Sequence, residues 1–326
     1  MKFLRPALAC ALVFVMGSTC GPAAAEAPET WPTKPLRFIV PGNPGGSPDV
    51  FARALAEKMA AILKQPVIVE NRPGAGGVIA VRQLQNVSDH HAFIMMVTSV
   101  AAVLPVTNKA ANFDALRDFT PVANLGYTPM MVVASPLTQV KSLAEAREYS
   151  KKQPYPPVFA HAGPGTMSNM AQERTARMND MAYSSVSFGN PGKTLAALVT
   201  GDAQFYADAV SVMQPMLQGD RVVPLAILAH EKLAGMESIP LGKDAIPGLE
   251  AVGGFGVMGP KDMTPDEVAI LGRAVIEAMQ QPDLVARIRE LGVYPEPGDA
   301  AAYTEILKKE QDVWGKLARS LQSDVQ

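Results

Sequence analysis

The chain has few of the residues that mark many well-characterised sites. Only two of its 326 residues are cysteine and four are histidine, aromatic residues make up 6 %, and the formal net charge is −2. A chain without a basic excess lacks the electrostatic footprint of a nucleic-acid-binding protein. With two thiols it can hold neither a disulfide framework nor a cysteine-rich metal site. We therefore expect no nucleic-acid partner, no metal and no cofactor.

Long apolar runs are also absent. The one membrane-like segment, 7–16, is too short to span a bilayer. It follows Lys2 and Arg5 and precedes the small-residue pattern Ala23-x-Ala25, which together are typical of a secretory signal peptide. We expect a signal peptide at 1–25, cleavage near Ala25 and a periplasmic mature protein.

Cleavage near Ala25 would remove both cysteines and leave the mature protein without thiols. Ala25-x-Ala27 offers a second cleavage pattern. The residues before Cys20, "GST", are a poor match to a lipid-attachment site, so we do not expect a lipid anchor. Loss of Lys2 and Arg5 would make the formal charge −4.

After this segment, short apolar stretches alternate with helix-like ones. The apolar stretches are 36–40, 66–71, 92–97, 130–134, 157–163, 203–209, 222–229 and 255–260, and the clearest helical patterns are 48–63, 142–152, 264–279 and 300–321. Strands that are apolar throughout and alternate with helices indicate a mostly parallel sheet covered on both faces. We expect an α/β fold of two domains. Domain 1 would comprise 31–127 plus 250–326, and an inserted domain 2 would comprise 128–249.

Between the first strand and the first helix lies "VPGNPGGSPD", residues 40–49. Loops at the carboxyl ends of strands gather at the ligand-binding edge of an open α/β sheet. A helix that begins there presents unpaired N–H groups and a partial positive charge, which suit an anion. We expect Ser47 to cap this helix and Asp49 to add one fixed negative charge. A well-capped turn without a ligand explains this loop equally well.

A second stretch, "FAHAGPGTMSNM" at 159–170, has the same plan. An apolar strand enters a glycine turn, and Thr166 and Ser168 stand at the start of a helix. A third loop after the strand 92–97 supplies the hydroxyls of Thr98 and Ser99. Two such loops in separate α/β halves can face each other across a cleft, where a small anion would bind.

Several segments in order carry a specific resemblance: "LRFIVPGNPGGSPDVFAR", "QPVIVENRPGAGG", "AHAGPGTMSNMA" and "LAALVTGDAQFYAD". In this order and spacing they resemble the solute receptors of tripartite tricarboxylate transporters, the Bug family of periplasmic binding proteins. The resemblance covers essentially the whole mature chain. It implies a type II binding-protein topology, with two α/β domains joined by two crossover strands, that closes on a small organic carboxylate for delivery to membrane transporter subunits.

The resemblance also implies where the ligand would bind. The implied contacts are Gly45, Gly46, Ser47 and Asp49 in the first loop, Thr98 and Ser99 in the third, and Gly163, Thr166, Ser168 and Asp208 in the inserted half. From their positions in or beside these loops we add Gly42, Asn43, His161, Met167 and Phe188 to the expected contacts. Gly42, Met167 and Phe188 depart from the family's usual residues. These departures would make the pocket rim more apolar, favouring a carboxylate with an apolar or aromatic body over citrate.

Other motifs favour other functions less well. "SFGNPGKT" imitates a phosphate-binding loop, but Ser187 stands where the first glycine is required. There is no G-x-S-x-G nucleophile elbow, and the only candidate bases near the loops are His161 and Asp49. We therefore expect a monomeric, non-catalytic receptor. A ligand sensor that serves a signalling partner, or an exported enzyme on the same fold, stays open as an alternative.

Overall fold

Ten strands form one hydrogen-bonded sheet in the computed structural model, which describes residues 31–323. The strands are β1 (Leu36–Val40), β2 (Val67–Asn71), β3 (Ala92–Val97), β4 (Phe119–Ala134), β5 (Val158–His161), β6 (Ser184–Ser187), β7 (Phe205–Ala209), β8 (Val223–Ile227), β9 (Val252–Pro260) and β10 (Tyr294–Gly298). Their order is β2-β1-β3-β9-β4-β7-β5-β6, and β8 and β10 also pair with β4. β1 is parallel to β2 and β3, and β5 is parallel to β6 and β7, whereas the pairs made by β4 and β9 are antiparallel.

Helices cover this sheet. They are α1 (Ser47–Leu63), α2 (Val78–Gln85), α3 (Leu104–Thr107), α4 (Ala115–Asp118), α5 (Leu143–Lys152), α6 (Met167–Met178), α7 (Pro191–Thr200), α8 (Val210–Leu217), α9 (Gly242–Ala245), α10 (Pro265–Met279), α11 (Pro282–Glu290) and α12 (Ala300–Ser323). No helix between residues 31 and 323 is both long and apolar enough to cross a membrane. The mixed α/β fold expected from the sequence is confirmed, whereas the predicted signal peptide lies outside the described residues.

β4 is the longest strand and joins the two parallel sets. Its first part, from Phe119 to Pro129, pairs with β9, and its last part, Met130 to Ala134, pairs with β7. We expected a strand only from residue 130, which was wrong. Residues 119–129 include two prolines and a glycine, and the pairing with β9 shifts register twice there. Such β-bulges let a strand continue through residues that disrupt a regular apolar pattern.

The C-terminal region contains one more helix and one more strand than expected. Thr264 caps α10, because the Thr264 hydroxyl accepts the Glu267 amide at 3.3 Å and the Glu267 carboxylate accepts the Thr264 amide at 2.7 Å. α11 and β10 were not predicted. The pattern of β10, "YPEPG", contains two prolines and does not indicate a strand.

α12 packs against two of the apolar clusters in the core. Tyr303 and Leu307 join the cluster built around Ile94 of β3, whereas Trp314 and Ala318 join the cluster that contains Phe159 of β5. The C-terminal helix therefore spans both parallel sets of strands and crosses the strands β4 and β9 between them. The predicted domain boundaries at 127/128 and 249/250 stay a prediction.

Candidate ligand-binding site

The first predicted loop, 42–49, is a tight turn between β1 and α1. Gly45 adopts φ +79°, a conformation that favours glycine, and its amide donates to Asp49 Oδ2 at 2.8 Å. The Gly46 amide donates to the Asn43 carbonyl at 3.2 Å. Gly46, and not Ser47, occupies the cap position of α1. The predicted Ser47 cap was wrong, because the turn closed by Asn43 and Gly46 makes Ser47 the first helical residue.

Asp49 is held in place by several donors. It is 3 % exposed and forms an ion pair with Arg53 at 2.9 Å. Burial by itself would raise the pKa of Asp49, but the hydrogen bonds from Arg53 and Gly45 outweigh burial and lower it. Arg53 also donates to Asn71 Oδ1 at 3.0 Å, and Asn71 donates to the Gly42 carbonyl at 3.2 Å. Asn71 belongs to the "ENRPGAGG" motif, and its support of the first loop was not predicted.

The second predicted loop repeats this geometry between β5 and α6. Gly165 adopts φ +72°, and its amide donates to Asn169 Oδ1 at 3.1 Å. The Thr166 amide donates to the Gly163 carbonyl at 3.4 Å. Thr166 has φ −75° and ψ 161°, and Gly46 in the first loop has φ −73° and ψ 162°. The two loops are therefore structural equivalents 120 residues apart.

Asn169 is a functional candidate that sequence reasoning missed. It takes the place of Asp49, because each side chain accepts the amide of the glycine four residues before it. The sequence contains a signal for this role, because "PGGSPD" and "PGTMSN" align and end in aspartate and in asparagine, its amide. The first loop thus carries a buried carboxylate with its arginine, whereas the second loop carries a neutral amide.

The free donors at both loops belong to the first turns of the helices. The amides of Gly45, Gly46, Gly165 and Thr166 are used within the turns. The amides of the next helical residues, Ser47 and Asp49 in α1 and Met167 and Ser168 in α6, make no hydrogen bond to any residue in 31–323. The unpaired N–H groups therefore belong to the first helical residues and not to Gly45 or Gly165.

Thr98 of the third loop is already engaged. It is 2 % exposed, its hydroxyl donates to Glu310 Oε1 at 2.6 Å, and it accepts the Gly254 amide at 2.6 Å. Burial raises the pKa of Glu310 to about 7. Thr98 therefore ties the third loop to β9 and α12. Ser99, half-buried, begins the short helical turn 99–103.

Ser168 and Asp208 are bonded within the fold. The Ser168 hydroxyl donates to the Ala207 carbonyl at 2.6 Å and accepts the Ala162 amide at 3.1 Å. Asp208 accepts from the Tyr206 hydroxyl and from the Ala209 amide. Burial raises the pKa of Asp208. These side chains fix the strand ends beside the second loop.

His161 differs from these anchored groups. It ends β5 and is 5 % exposed, and its Nδ1 makes no hydrogen bond to a described residue. Burial lowers the pKa of His161, which favours a neutral ring at pH 7. Phe188 lies just after β6 and packs against an apolar cluster, and its amide donates to the His161 carbonyl at 3.4 Å.

The third loop and the helix after it lie beside both glycine turns. A β-carbon on Gly165 would lie 3.7 Å from the Thr107 hydroxyl. A β-carbon on Gly77, in the "ENRPGAGG" turn, would lie 2.7 Å from Val100 and 3.7 Å from Pro41. The second loop thus approaches α3 directly, whereas the first loop is joined to the third through Gly77.

Met167 lies against the strand that crosses between the two parallel sets. Its Cγ is 3.5 Å from the position a β-carbon of Gly253 would occupy, and the Met130 methyl lies at the same distance from that position. The segment that imitates a phosphate loop begins α7 as an exposed helix start. There Asn190 Oδ1 accepts the Lys193 amide at 3.0 Å, and the Lys193 side chain is exposed.

Comparison with known proteins identifies the family. Residues 51–322 match the model of the tripartite tricarboxylate transporter family receptor. Protein BugT of Bordetella pertussis is 28 % identical over 289 residues, 87 % of this chain and 88 % of BugT. A Cupriavidus necator protein described as a UPF0065 protein is 28 % identical over 320 residues, 97 % of each chain.

Solved structures show the same fold. A TctC solute-binding protein from Polaromonas has a TM-score of 0.79 at 19 % identity and covers 89 % of this chain and 100 % of its own. MatC from Rhodopseudomonas palustris with bound malate has a TM-score of 0.72 at 26 % identity, covering 88 % and 100 %. R. palustris Rpa4515 with adipate has a TM-score of 0.75 at 23 % identity, covering 89 % and 97 %. The fold and the match over most of the chain together show that this protein belongs to the tripartite tricarboxylate transporter receptor family.

Proposed function

We propose that this chain is a periplasmic receptor that captures a small organic carboxylate between the loops 42–49 and 163–169 and delivers it to a tripartite tricarboxylate-type membrane transporter. One observation carries the proposal. Two equivalent glycine turns each begin a helix whose first amides have no acceptor in the described residues. Such helix starts bind anions through N–H groups and the helix dipole.

The relatives support a carboxylate as the ligand, since MatC was solved with malate and Rpa4515 with adipate. The basic side chain beside the first loop supports a ligand with few charges. Because Arg53 is already paired with Asp49, an incoming carboxylate would be bound by the helix amides. Met167 and Met130 add apolar contact surface beside the second loop, which favours an aliphatic or aromatic body over a third carboxylate.

Binding without turnover is part of the proposal. A hydrolytic or transfer reaction needs a nucleophile beside a competent base. The Ser168 and Thr98 hydroxyls both donate to acceptors within the fold. Asp49 has a lowered pKa and an arginine partner, which make it a weak base.

The order of strands supports a hinge at β4 and β9 between the predicted domains. Ligand contacts in both halves would then favour closure.

A backbone substitution tests the site. Met167→Pro removes the first amide of α6, and proline is well tolerated at that helix position. The preceding residue, Thr166, already has the extended backbone that proline requires, with φ −75° and ψ 161°. Met167→Ala removes the same side chain but keeps the amide, and is the matched control.

Calorimetric titration with malate, adipate and benzoate at pH 7 should give a dissociation constant for at least one carboxylate. Loss of a hydrogen bond to a charged group costs about 1.5–3 kcal/mol, so Met167→Pro should bind roughly 10- to 100-fold more weakly than Met167→Ala. Equal affinities for the two variants would refute the helix-start site.

The export proposal has its own test. A chain that begins at Glu26 should be found in the periplasm.

A further inference from the structure

A cavity of about 330 Å³ lies under the C-terminal helix. α12 covers it, and the crossing strands β4 and β9 line it with residues that include Tyr127 and Gly254. None of the residues predicted for the carboxylate site lines this cavity. It is therefore a separate space, although Gly254 connects it to Thr98 through one hydrogen bond.

Arg174 of α6 enters this cavity with unused donors. Its guanidinium carbon lies 5.6 Å from the centre of the buried Trp314 ring, and Nη2 donates to the Gly248 carbonyl at 2.8 Å. Its Nε is buried and makes no hydrogen bond to any residue in 31–323. Arg174 forms no ion pair among the described residues, and Glu250, which also lines the cavity, is shared by His230 at 3.3 Å and Lys243 at 3.5 Å. A planar guanidinium with free donors suits a carboxylate.

Carboxylates without a cationic partner line the same cavity. Glu310 accepts from Thr98 and is not within 4 Å of a basic group in the part of the chain described, and Glu296 likewise has no ion pair there. Burial disfavours the charge of Glu310, raising its pKa to about 7, and burial also lowers the pKa of Arg174. A bound group of opposite charge beside each of these side chains would offset the cost of burying its charge.

Unpaired charges of both signs in one cavity match a ligand that carries both. We propose that this cavity is a second ligand site for a small zwitterion, whose carboxylate binds Arg174 and whose ammonium group lies toward Glu310 and Glu296. The Trp314 and Val313 side chains contact the carbon chain between the two charges. The proposal does not depend on the carboxylate site between the glycine turns.

Three probes with the same four-carbon chain test the charge requirement. 4-Aminobutyrate has both charges, butyrate only the negative one and butylamine only the positive one. Calorimetric or ligand-observed NMR titration of the mature chain at pH 7 should show that 4-aminobutyrate binds at least 10-fold more tightly than either relative. Equal binding of butyrate, or no binding of 4-aminobutyrate up to 10 mM (a limit of roughly −2.7 kcal/mol), overturns the proposal.

Three variants test the location. Arg174→Ala removes the guanidinium proposed to hold the carboxylate and leaves Lys309, which also lines the cavity, in place. Val313→Phe fills the cavity without changing its charge. Each variant should weaken 4-aminobutyrate binding at least 10-fold. Arg273→Ala, on the exposed side of α10, is the matched control and should bind as the natural chain does. If Arg174→Ala fails to fold, Val313→Phe still tests whether 4-aminobutyrate binds in this cavity. Loss of 4-aminobutyrate binding in Met167→Pro but not in Val313→Phe would place the zwitterion at the glycine turns and refute the second site.

Discussion

Replacing Glu310 by glutamine gives a sharp test of how the C-terminal helix is anchored. Glu310 is half-buried, accepts a hydrogen bond from Thr98 at 2.6 Å and has Tyr303 as a further titratable neighbour. Its pKa is raised from 4.5 to about 7 because burial disfavours the ionised form. Glutamine has the same shape, can still accept from Thr98 and stays neutral at every pH.

The sign of the effect follows from linkage. Because the folded chain holds this proton more tightly than the unfolded chain, the contribution of Glu310 is fully present below about pH 4.5 and is lost as the pH rises to about 7. A shift of this size corresponds to at most about 3 kcal/mol, and the solvent that reaches a half-buried carboxylate reduces it to about 1–3 kcal/mol. Relative to its value at pH 4, the stability advantage of Glu310→Gln should therefore grow by that amount at pH 8.

Thermal unfolding from pH 4 to pH 8 measures this difference. For a chain of about 300 residues the unfolding entropy near 60 °C is roughly 0.6 kcal/mol/K, so the melting temperatures should diverge by about 2–5 °C between those limits. Glu305→Gln, an exposed position on the same helix whose carboxylate forms only a surface ion pair with Lys308, is the control and should show a smaller divergence than Glu310→Gln. A constant difference between Glu310→Gln and the natural chain at all pH values would show that the fold does not raise the pKa of Glu310.

Three further predictions concern the backbone and the second loop. Gly126→Ala should destabilise the fold by roughly 3 kcal/mol or more in urea unfolding, because Gly126 has φ +147° and a β-carbon there would lie 2.2 Å from the Tyr294 carbonyl oxygen. Gly219→Ala is the control and should cost only about 1 kcal/mol, because Gly219 has φ +93° but open space around it. Equal costs for the two variants would contradict the steric argument. Thr166→Ala should cost about 1 kcal/mol, since it removes the cap that accepts the Asn169 amide at 3.2 Å, and a neutral result in the same assay would refute that role. His161 should titrate below 6.5 in an NMR pH series that uses His161→Asn for assignment, and its contribution to stability should be lost as the pH falls from 6.5 through that lower value; a midpoint at or above 6.5 would contradict its burial.

The two glycine turns show how far local sequence can be interpreted. Glycine and proline in "GNPGGSPD" and "GPGTMSN" predicted two tight turns before two helices, and both turns are present. The positions of the free donors were not predicted, because the acceptors for Gly45 and Gly165 are side chains of the following helix. An acid or amide four residues away is visible in the sequence, but its orientation depends on how the turn closes.

β4 and β10 show where pattern reasoning fails. Prolines, glycine and register shifts hide the period-2 pattern in both strands, and their pairing is stabilised by partners far away in sequence. Contacts distant in sequence likewise decide the hydrogen bonds of Thr98 and Ser168. Their hydroxyls could serve a ligand, but distant acceptors, Glu310 and the Ala207 carbonyl, already bind them.

The sequence by itself determined the α/β class, the family and the two glycine turns, because apolar periodicity and turn chemistry act over a few neighbouring residues. Only the tertiary structure decided which hydroxyls and amides are already bonded, and it alone brought Arg174, Trp314 and Glu310 around one cavity. Those groups come from α6 and α12, more than 130 residues apart, and a long helix crossing two strands brings them together through packing that no local pattern records.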